Sequence, residues 1–481
     1  MSRSMTISFI LLTFYFSFLN CYEPPVNPDP DPQDTVGKSE IDCWLTSKDG
    51  LKLLQKQETK LSFSSPSNFY EFIEVDPEVE YQTIDGFGYT LTGGSAKVIN
   101  KLNAGDRQHL LEELFGKKDF SIGVSYLRLS IGASDLNDFP FTYNDLETGE
   151  TDLLLENFSL SHDLEDLIPL LKEIHAINPD ILYLATPWSA PVWMKDNKSF
   201  KGGSLLPQYF DVYARYFVKY IQEMAAHGIR IDAVTPQNEP LHPGNNPSMY
   251  MTAADQAVFI KDHLGPEFVK NNITTKIIIY DHNCDRPDYP KQILDDPFAR
   301  QYIDGTAFHL YGGDIGVLSF IHNLYPNKNL YFTEQYTASN GNFGGDLNWH
   351  LKNVIIGSLR NWSRVALEWN LANDGDFKPH TDGGCTTCKG AITVLSADAF
   401  NRNVSYFIIA HVSKFVPPKS VRISSNLLGG LPNVAFLTPE GKKVLVVLNE
   451  GNGTAAFNLK YKGKWAVCSL EAGEVGTYVW N

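Results

Sequence analysis

The chain has 481 residues, with 40 Lys and Arg against 56 Asp and Glu, and a formal net charge of −16. This acidic balance excludes nucleic acid as a partner, because binding to it requires basic side chains that replace phosphate counterions. Charged residues at 20% and aromatic residues at 12% exclude a disordered chain. The length predicts a large domain and a smaller one, and the composition suits a neutral partner with apolar faces.

The N-terminus predicts export. Arg3 precedes an uncharged apolar run over residues 5–19, which has the length of a signal peptide core and is too short for an ordinary membrane span. The run leads to Cys21, and the Pro-rich segment after it resembles the tether of a bacterial lipoprotein. We therefore expect a signal peptide over residues 1–21 and a tether over residues 22–41.

The location of the mature protein depends on Cys21. If Cys21 is lipidated, as we expect, the protein is anchored to a membrane, at the bacterial outer membrane or cell surface. If Cys21 is incidental, the protein is periplasmic or secreted. Asn-x-Ser/Thr sequons such as those at Asn157 and Asn361 also leave a glycosylated eukaryotic secretory origin open.

Between about residues 80 and 372, short β-rich runs alternate with longer amphipathic stretches, which is the pattern of parallel βαβ units. Eight runs can be counted, and eight strands close a (β/α)8 TIM barrel. The runs cover residues 81–90, 124–131, 181–186, 231–235, 276–280, 305–309, 329–333 and 364–369. Apolar residues at helical spacing predict a helix over residues 209–221. An open doubly wound sheet is the competing topology, although no Gly-rich phosphate loop follows the first run.

A second module is predicted after about residue 415, where the chain changes to short alternating strands with Gly and Asn turns. This tail is too short for a sandwich by itself, and residues 42–74 are also strand-like. We therefore expect N-terminal and C-terminal strands to pair in one β-sandwich side domain. The expected division assigns residues 42–77 and 416–481 to the sandwich and residues 78–415 to the barrel.

Cys385 and Cys388 form a CxxC pair in a Gly-rich and Thr-rich segment. Such a pair is redox-active in some proteins and half of a zinc site in others, but no second CxxC or His cluster supplies the remaining ligands. We expect a local staple of a loop, with two packed thiols as the alternative.

Carboxylates follow the fourth and seventh runs. Asn238 and Glu239 follow the fourth run closely, and Glu334 directly follows the seventh. Catalytic groups of TIM barrels lie at the C-terminal ends of the strands. Glycoside hydrolysis requires two carboxylates that flank the scissile bond. A single Glu at a strand end is most often a salt-bridged structural residue, but this pair predicts a glycosidase.

Several motifs resemble those of glycoside hydrolase family 30, which includes glucosylceramidases and β-1,6-glucanases. They cover residues 85–88, 186–195, 238–240, 309–311 and 369–372. The resemblance extends over nearly the whole chain from about residue 42 and includes the split β-sandwich. It implies a retaining hydrolase that needs no metal or organic cofactor.

The resemblance implies Glu239 as the general acid/base and Glu334 as the nucleophile of a double displacement. Arg128, at the end of the second run, is placed to keep a nearby carboxylate charged. Tyr311 would orient Glu334, and His309 would support that site. The expected substrate-binding residues are Trp188, Asn238, His309, Tyr311 and Trp369.

The tryptophans and Asn238 each have a particular expected role. Trp188 and Trp369 would be platforms for the apolar face of a sugar ring, and Asn238 would hydrogen-bond the sugar 2-OH. Trp349, in the loop after the seventh run, would line outer subsites. Trp193 is expected to pack in the core.

One departure from the family pattern concerns Gly93, which stands where many glucosylceramidase-like members carry Asp. We expect the missing carboxylate to leave space for a longer glycan, which, with the Cys385 and Cys388 loop, favours the bacterial β-1,6-glucanase branch. The expected substrate is therefore a neutral β-glucan with β-1,6 linkages. The alternatives are a glucosylceramidase or general β-glucosidase and, from another class, a non-catalytic glycan-binding surface lipoprotein.

Overall fold

The computed structural model describes residues 40–64 and 68–481. The predicted signal peptide, Cys21 and residues 22–39 of the predicted tether lie outside the described residues. Among the helices of the described segments, none combines the length and the apolar content needed to cross a bilayer.

Eight parallel strands form a closed barrel in which the first strand pairs with the last. The predicted TIM barrel is therefore confirmed, and the open sheet is wrong. We label the barrel strands in chain order: β1 (Gly86–Leu91), β2 (Tyr126–Ile131), β3 (Leu182–Pro187), β4 (Ala233–Val234), β5 (Lys276–Cys284), β6 (Ile303–Gly313), β7 (Asn329–Glu334) and β8 (Ser363–Asn370).

Two of the predicted runs differ from the strands. The run over residues 81–90 is divided between Phe72–Thr83, which belongs to the sandwich, and β1. The chain changes modules at Ile84, whose N–H donates to the carbonyl of Ser420 at 2.7 Å. The fourth run is reduced to the two residues of β4.

Helices surround the barrel, and the predicted helix over residues 209–221 is confirmed by Phe210–Ala226. Its buried face includes Phe210, Tyr213, Phe217 and Tyr220, at the spacing of successive helical turns. The other α-helices are Gly93–Asn100, Ala104–Phe115, Leu167–Ile177, Ala253–Val258, Gly265–Lys270, Asp288–Asp295, Pro297–Arg300, Val317–Leu324, Phe343–His350, Ser358–Arg360 and Val404–Ser413. Two π-helical turns, Phe259–Leu264 and Leu351–Gly357, and three 3-10 turns, Ser161–Asp163, Val192–Met194 and Pro207–Tyr209, complete them in the described segments.

Strands from both ends of the chain form the β-sandwich, as predicted. Glu40–Thr46 pairs with Val475–Trp480, and Phe72–Thr83 pairs with both Val421–Ser425 and Ala455–Tyr461. The predicted boundary at residue 77 falls inside Phe72–Thr83. The other strands of this sheet are Gln55–Lys56, Leu61–Ser62, Asn433–Leu437, Lys443–Leu448 and Lys464–Leu470.

Smaller strands shape the loops at the C-terminal end of the barrel. Thr337–Ala338 pairs with Cys388–Lys389. Ala372–Asp374, Ile392–Ser396 and Ala399–Arg402 form a separate small sheet. The segment that contains the CxxC pair is therefore attached to the segment that follows β7.

The barrel interior holds a cluster of buried hydrophobic side chains from the strands. The cluster contains Tyr126, Leu184, Ala233, Ile278, Ala307, Tyr331, Val365 and Leu367. Successive side chains of a strand alternate between its two faces, so the residue two positions further along points into the same interior, one layer nearer the C-terminal end. This hydrophobic cluster, here called the floor, therefore lies beneath the side chains at the C-terminal ends of the strands.

Asp163 carries a buried carboxyl that makes the stability depend on pH. Its Oδ2 accepts a hydrogen bond from the hydroxyl of Tyr143, and burial raises its pKa to about 7. The folded protein therefore holds a proton here that the unfolded chain releases near pH 4, and the stability from this group is lost as the pH rises from about 4 to 7.

We expect Asp163→Asn to remove this dependence. The free energy of unfolding of the variant minus that of the wild type should increase by on the order of 2 kcal/mol as the pH rises from 4.5 to 8. Urea unfolding at a series of pH values measures this difference. The same change at the exposed Asp180 should leave the pH dependence unaltered. Parallel wild-type and Asp163→Asn stability profiles would contradict the expectation.

Candidate active site

Polar side chains occupy the layer directly above the apolar floor. Each stands two positions after a floor residue, on the same strand or, for Thr235, directly after that strand: Arg128, Thr186, Thr235, His309, Thr333 and Trp369. All six are buried. The period of two residues therefore brings a charged and hydroxyl-rich layer together at the C-terminal end of the barrel.

Asp281, within β5, lies at the centre of this layer. Its backbone and that of Tyr280 have φ values of 60° and 74°, a left-handed conformation that non-glycine residues rarely adopt. The carboxylate accepts five hydrogen bonds: Oδ2 from Arg128 at 2.8 Å, Thr235 at 2.9 Å and Thr186 at 3.1 Å, and Oδ1 from Thr333 at 2.7 Å and His309 at 3.1 Å. Although burial opposes it, Arg128 holds the pKa of Asp281 far below its usual range.

Asp281 is a site residue that the sequence analysis missed. It follows the run over residues 276–280 in the same way that Glu334 follows the seventh run, so the rule of polar residues at strand ends could have identified it. The three threonines could likewise have been identified from their period of two with the apolar floor.

The two predicted carboxylates, Glu239 and Glu334, meet at the mouth of the barrel. A carboxylate oxygen of each lies within 4.8 Å of the other, which is the close spacing typical of retaining glycosidases rather than the wider spacing of inverting ones. Glu239 has a φ of 44°, and its N–H donates to the carbonyl of Asp281 at 3.0 Å. This strained backbone, fixed by a neighbouring strand, aims Glu239 toward Glu334.

Glu334 receives hydrogen bonds from the residues predicted to hold it. Arg128 Nη1 donates to Oε2 at 2.5 Å, and the Tyr311 hydroxyl donates to Oε1 at 3.0 Å. Burial raises the pKa of Glu334 and the charge of Glu239 adds to the rise, whereas His309 and Arg128 oppose it. The pKa of Glu239 is lowered instead: although burial opposes it, the hydrogen bond and the charge of His309 stabilise the anion. Two buried carboxyls this close do not ionise independently.

His309 lies against both glutamates. Its Nδ1 lies 3.1 Å from Glu239 Oε1 and 3.8 Å from Glu334 Oε1, so its closer partner is Glu239. Although burial opposes it, the charge of Glu334 and the hydrogen bond to Asp281 raise the pKa of His309 to about 9. His309 is therefore a cation at neutral pH and donates through both ring nitrogens.

Asn238 is held by the same arginine. Arg128 Nη2 donates to Asn238 Oδ1 at 2.6 Å, and the backbone N–H of Asn238 donates to the carbonyl of Pro187 at 2.8 Å. Because its carbonyl oxygen is occupied, Asn238 presents its amide N–H group to the cavity.

The pair lies in a cavity of about 230 Å³. Its lining contains Asn238, Glu239, Tyr311, Glu334, Trp188 and Trp369, as predicted, together with Asp135, His242, Asn245, His282, Asn283, Tyr336, Cys385 and Cys388. Trp188 and Trp369 contact each other with ring centroids 5.4 Å apart, and the guanidinium of Arg128 lies 5.0 Å from the Trp188 ring. The two indoles thus form one aromatic wall of the cavity, and the buried guanidinium of Arg128 packs against it.

Two expectations about neighbouring residues need correction. Trp349 is on helix Phe343–His350 rather than in a loop, with its ring centroid 5.1 Å from that of His350, and it is not among the residues that line this cavity; its place at outer subsites stays a prediction. Gly93 leaves no free space, because a Cβ at this position would lie 2.4 Å from the amide nitrogen of Asn137. Trp193 is in the core, as predicted, and its indole N–H donates to the carbonyl of Asn144 at 3.0 Å.

Asp135, which the sequence analysis did not identify, supplies a third carboxylate to the cavity. It lies four residues after the end of β2, in an irregular loop where no periodicity marks it. Burial and the charge of Glu334 raise the pKa of Asp135 to about 7. Its Oδ2 accepts the backbone N–H of Cys385 at 3.1 Å.

Cys385 and Cys388 form a disulfide, which confirms the predicted staple. Cys388 packs with Leu136, Trp188 and Trp369, and Cys385 lies at the edge of this cluster. The other described cysteines, Cys43, Cys284 and Cys468, are buried free thiols.

The donor set of the site does not suit a metal ion. Glu239, His309 and Glu334 have ligand atoms close enough to share one. However, the raised pKa of His309 keeps both its nitrogens protonated, and Arg128 already places a positive charge against Glu334. The arrangement suits acid, base and nucleophilic chemistry by carboxyl groups.

Two family models match the chain. The glycosyl hydrolase family 30 TIM-barrel domain matches residues 84–416, and the family 30 β-sandwich domain matches residues 419–478.

Individual relatives and a solved structure are also similar to this chain. The endo-1,6-β-D-glucanase BGN16.3 of Trichoderma harzianum is 34% identical over 76% of this chain and 78% of its own length. The lysosomal acid glucosylceramidase of Mus musculus is 28% identical over 85% and 83%. The solved structure of the endo-β1,6-glucanase BT3312 superposes with a TM-score of 0.85 at 35% identity, over 92% of this chain and 99% of that one.

Proposed function

The chain belongs to glycosyl hydrolase family 30, and we propose that it is a retaining endo-β-1,6-glucanase in which Glu334 is the nucleophile and Glu239 the acid/base. The observation that carries the chemistry is the pair of buried carboxylates within 4.8 Å of each other, presented by the end of β7 and by the loop that follows β4. The endo-1,6-glucanases among the relatives, at 34% and 35% identity, support the linkage and the endo action.

In the first step, Glu334 attacks the anomeric carbon while Glu239 gives its proton to the leaving glycosidic oxygen. Arg128 and Tyr311 donate to Glu334 and stabilise its anion. In the free site, although burial opposes it, the hydrogen bond and the charge of His309 lower the pKa of Glu239. The proposed mechanism therefore requires Glu239 to take up its proton when the substrate binds. The glycosidic bond breaks, and an ester bond between the glucosyl unit and Glu334 forms.

In the second step, the ester has removed the charge of Glu334, so Glu239 releases protons more readily than before. Glu239 then takes a proton from a water molecule, whose oxygen attacks the anomeric carbon and displaces Glu334. Two inversions at this carbon give net retention of the β configuration.

The remaining cavity residues bind the sugar. The amide N–H group of Asn238 is placed for the 2-OH, a contact that strengthens as the transition state develops. Asp135, which also lines the cavity, accepts hydrogen bonds from ring hydroxyls. Trp188 and Trp369 supply the apolar wall against which the C–H face of the ring packs.

Product analysis on pustulan, laminarin, xylan and glucosylceramide, side by side, tests the proposal. We expect β-1,6-linked oligosaccharides of several lengths from pustulan, with the β anomer appearing first by NMR. Glucose as the sole early product would contradict the endo action, and appearance of the α anomer first would contradict retention. Activity confined to glucosylceramide would favour the alternative that the mouse relative represents.

We also propose that the protein is exported. The apolar run over residues 5–19 supports this, and so does the disulfide between Cys385 and Cys388, because disulfides persist in oxidising compartments. Lipidation at Cys21 remains part of the proposal. Labelling with a radioactive fatty acid, compared between wild type and Cys21→Ser, tests it: equal labelling of both would contradict the anchor.

A further inference from the structure

The segment over residues 379–390, here called the disulfide loop, forms one wall of the catalytic cavity. Both of its cysteines line the cavity, and their Cα atoms are 5.7 Å apart across the disulfide. Cys388 is buried against Trp188 and Trp369, whereas Thr386 and Thr387, between the cysteines, are exposed. The disulfide therefore separates solvent from the aromatic wall of the cavity.

The disulfide loop connects three other loops at the barrel mouth. The N–H of Thr381 donates to the carbonyl of Asp135 at 2.9 Å, and the amide of Asn246 donates to the carbonyl of Asp382 at 2.9 Å. Ser339 donates its N–H to the carbonyl of Thr387 at 2.8 Å. The loops that follow β2, β4 and β7 are thus all hydrogen-bonded to the disulfide loop.

Asp135 is the cavity residue that depends most on this loop. Its backbone carbonyl accepts from Thr381, and its side-chain Oδ2 accepts the N–H of Cys385. Gly384 also packs closely, since a Cβ there would lie 2.4 Å from the carbonyl oxygen of Asp135. The disulfide loop consequently fixes both the position and the orientation of this carboxyl group.

We propose that the disulfide loop is a positioning element for substrate binding: the Cys385–Cys388 bond holds the backbone N–H that orients Asp135 toward the hydroxyls of a glucosyl unit. The inference rests on the proposed function and extends it. The acid/base pair makes its hydrogen bonds to Arg128, Tyr311 and His309 instead. Opening the disulfide therefore weakens substrate binding while the chemical step continues.

Steady-state kinetics on soluble β-1,6-gluco-oligosaccharides test this. We expect Cys385→Ser/Cys388→Ser to raise KM by about tenfold, the value of one hydrogen bond to a charged group, with kcat changed by less than about twofold. Treatment of the wild type with a phosphine should have the same effect. The phosphine takes its oxide oxygen from water, and the two sulfurs become thiols.

Three further measurements separate positioning from a general loss of structure. The double serine variant should not respond to the phosphine, and Cys468→Ala, in the sandwich core, should respond as the wild type does. In an Asp135→Asn background, opening the disulfide should raise KM by less than about twofold, because the oriented group is already changed. Independent, multiplicative effects of the two changes would overturn the proposal, as would parallel losses of kcat and folded protein.

The outcomes also separate this inference from the proposed function. If the wild type hydrolyses the oligosaccharides but neither the serine variant nor the phosphine changes KM, the positioning role is wrong and the enzymatic function stands. If the wild type hydrolyses no β-1,6-linked substrate, the proposed function itself is wrong. Should the serine variant fail to fold, the phosphine titration of the wild type, with its folded fraction followed by circular dichroism, decides the question.

Discussion

Glu334→Ala is expected to lower kcat on β-1,6-gluco-oligosaccharides by at least about 10⁴-fold, because no side chain remains to form the covalent intermediate. Sodium azide should restore turnover of an aryl β-gentiobioside and yield an α-glycosyl azide. The azide ion enters the space left by the carboxylate and attacks the anomeric carbon from the same face. The fold should persist, since Arg128 keeps its ion pair with Asp281 at 2.8 Å.

Glu239→Ala is the matched control for this result. Here the glycosyl ester on Glu334 still forms from an aryl substrate, whose leaving group needs little protonation, and azide attacks the ester from the opposite face. The expected product is therefore the β-glycosyl azide. Near-normal turnover of Glu334→Ala without azide, or exchange of the two anomers between the variants, would refute the assigned roles.

Asp281→Asn is expected to lower both activity and stability, although Asp281 does not touch the reacting atoms. In this variant an amide N–H group replaces one carboxylate oxygen and faces other hydrogen-bond donors. Arg128 and His309 also lose the negative charge to which both donate. Loss of one partner from a buried ion pair costs about 3 kcal/mol or more of unfolding free energy. We expect kcat to fall about 10²-fold or more, since the electrostatic arrangement around Glu334 and Glu239 is disturbed.

The pH profile distinguishes this effect from simple destabilisation. The hydrogen bond to Asp281 contributes to the raised pKa of His309, so the alkaline limb of the kcat/KM profile should move to lower pH in Asp281→Asn. Asp85→Asn is the matched control, because Asp85 pairs with Arg364 at 2.6 Å at the other end of the barrel strands. It should reduce stability without moving the profile, and an equal shift in both variants would contradict the role given to Asp281.

The parts of the site that sequence predicts are those governed by periodicity and strand ends. Eight runs gave the barrel, and the residues after the fourth and seventh gave Glu239 and Glu334. The contacts of His309 depend on register shifts in β6, which displace it relative to β5 and β7. No local pattern encodes such shifts, so sequence alone does not predict that His309 contacts Glu239, Glu334 and Asp281 together.

Other residues escaped prediction for a different reason. Asp135 reaches the cavity through a loop whose path is set by the disulfide loop, which lies about 250 residues later in the chain. Gly93 was expected to leave space, but Asn137, on a different loop, fills it. In both cases the deciding contact joins segments that are far apart in the sequence. Such a contact becomes visible only when the packing of the folded chain is known.

The pairing of Glu40–Thr46 with Val475–Trp480 has a consequence for how the chain matures. During synthesis Glu40–Thr46 is made before the barrel segments and its partner only after them, so the strand waits unpaired while the barrel segments are completed. Contacts between such distant segments form slowly. Assembly of the sandwich therefore waits until Val475–Trp480 has been made, and a chain that stops before Val475 leaves an apolar strand edge open to association with other molecules.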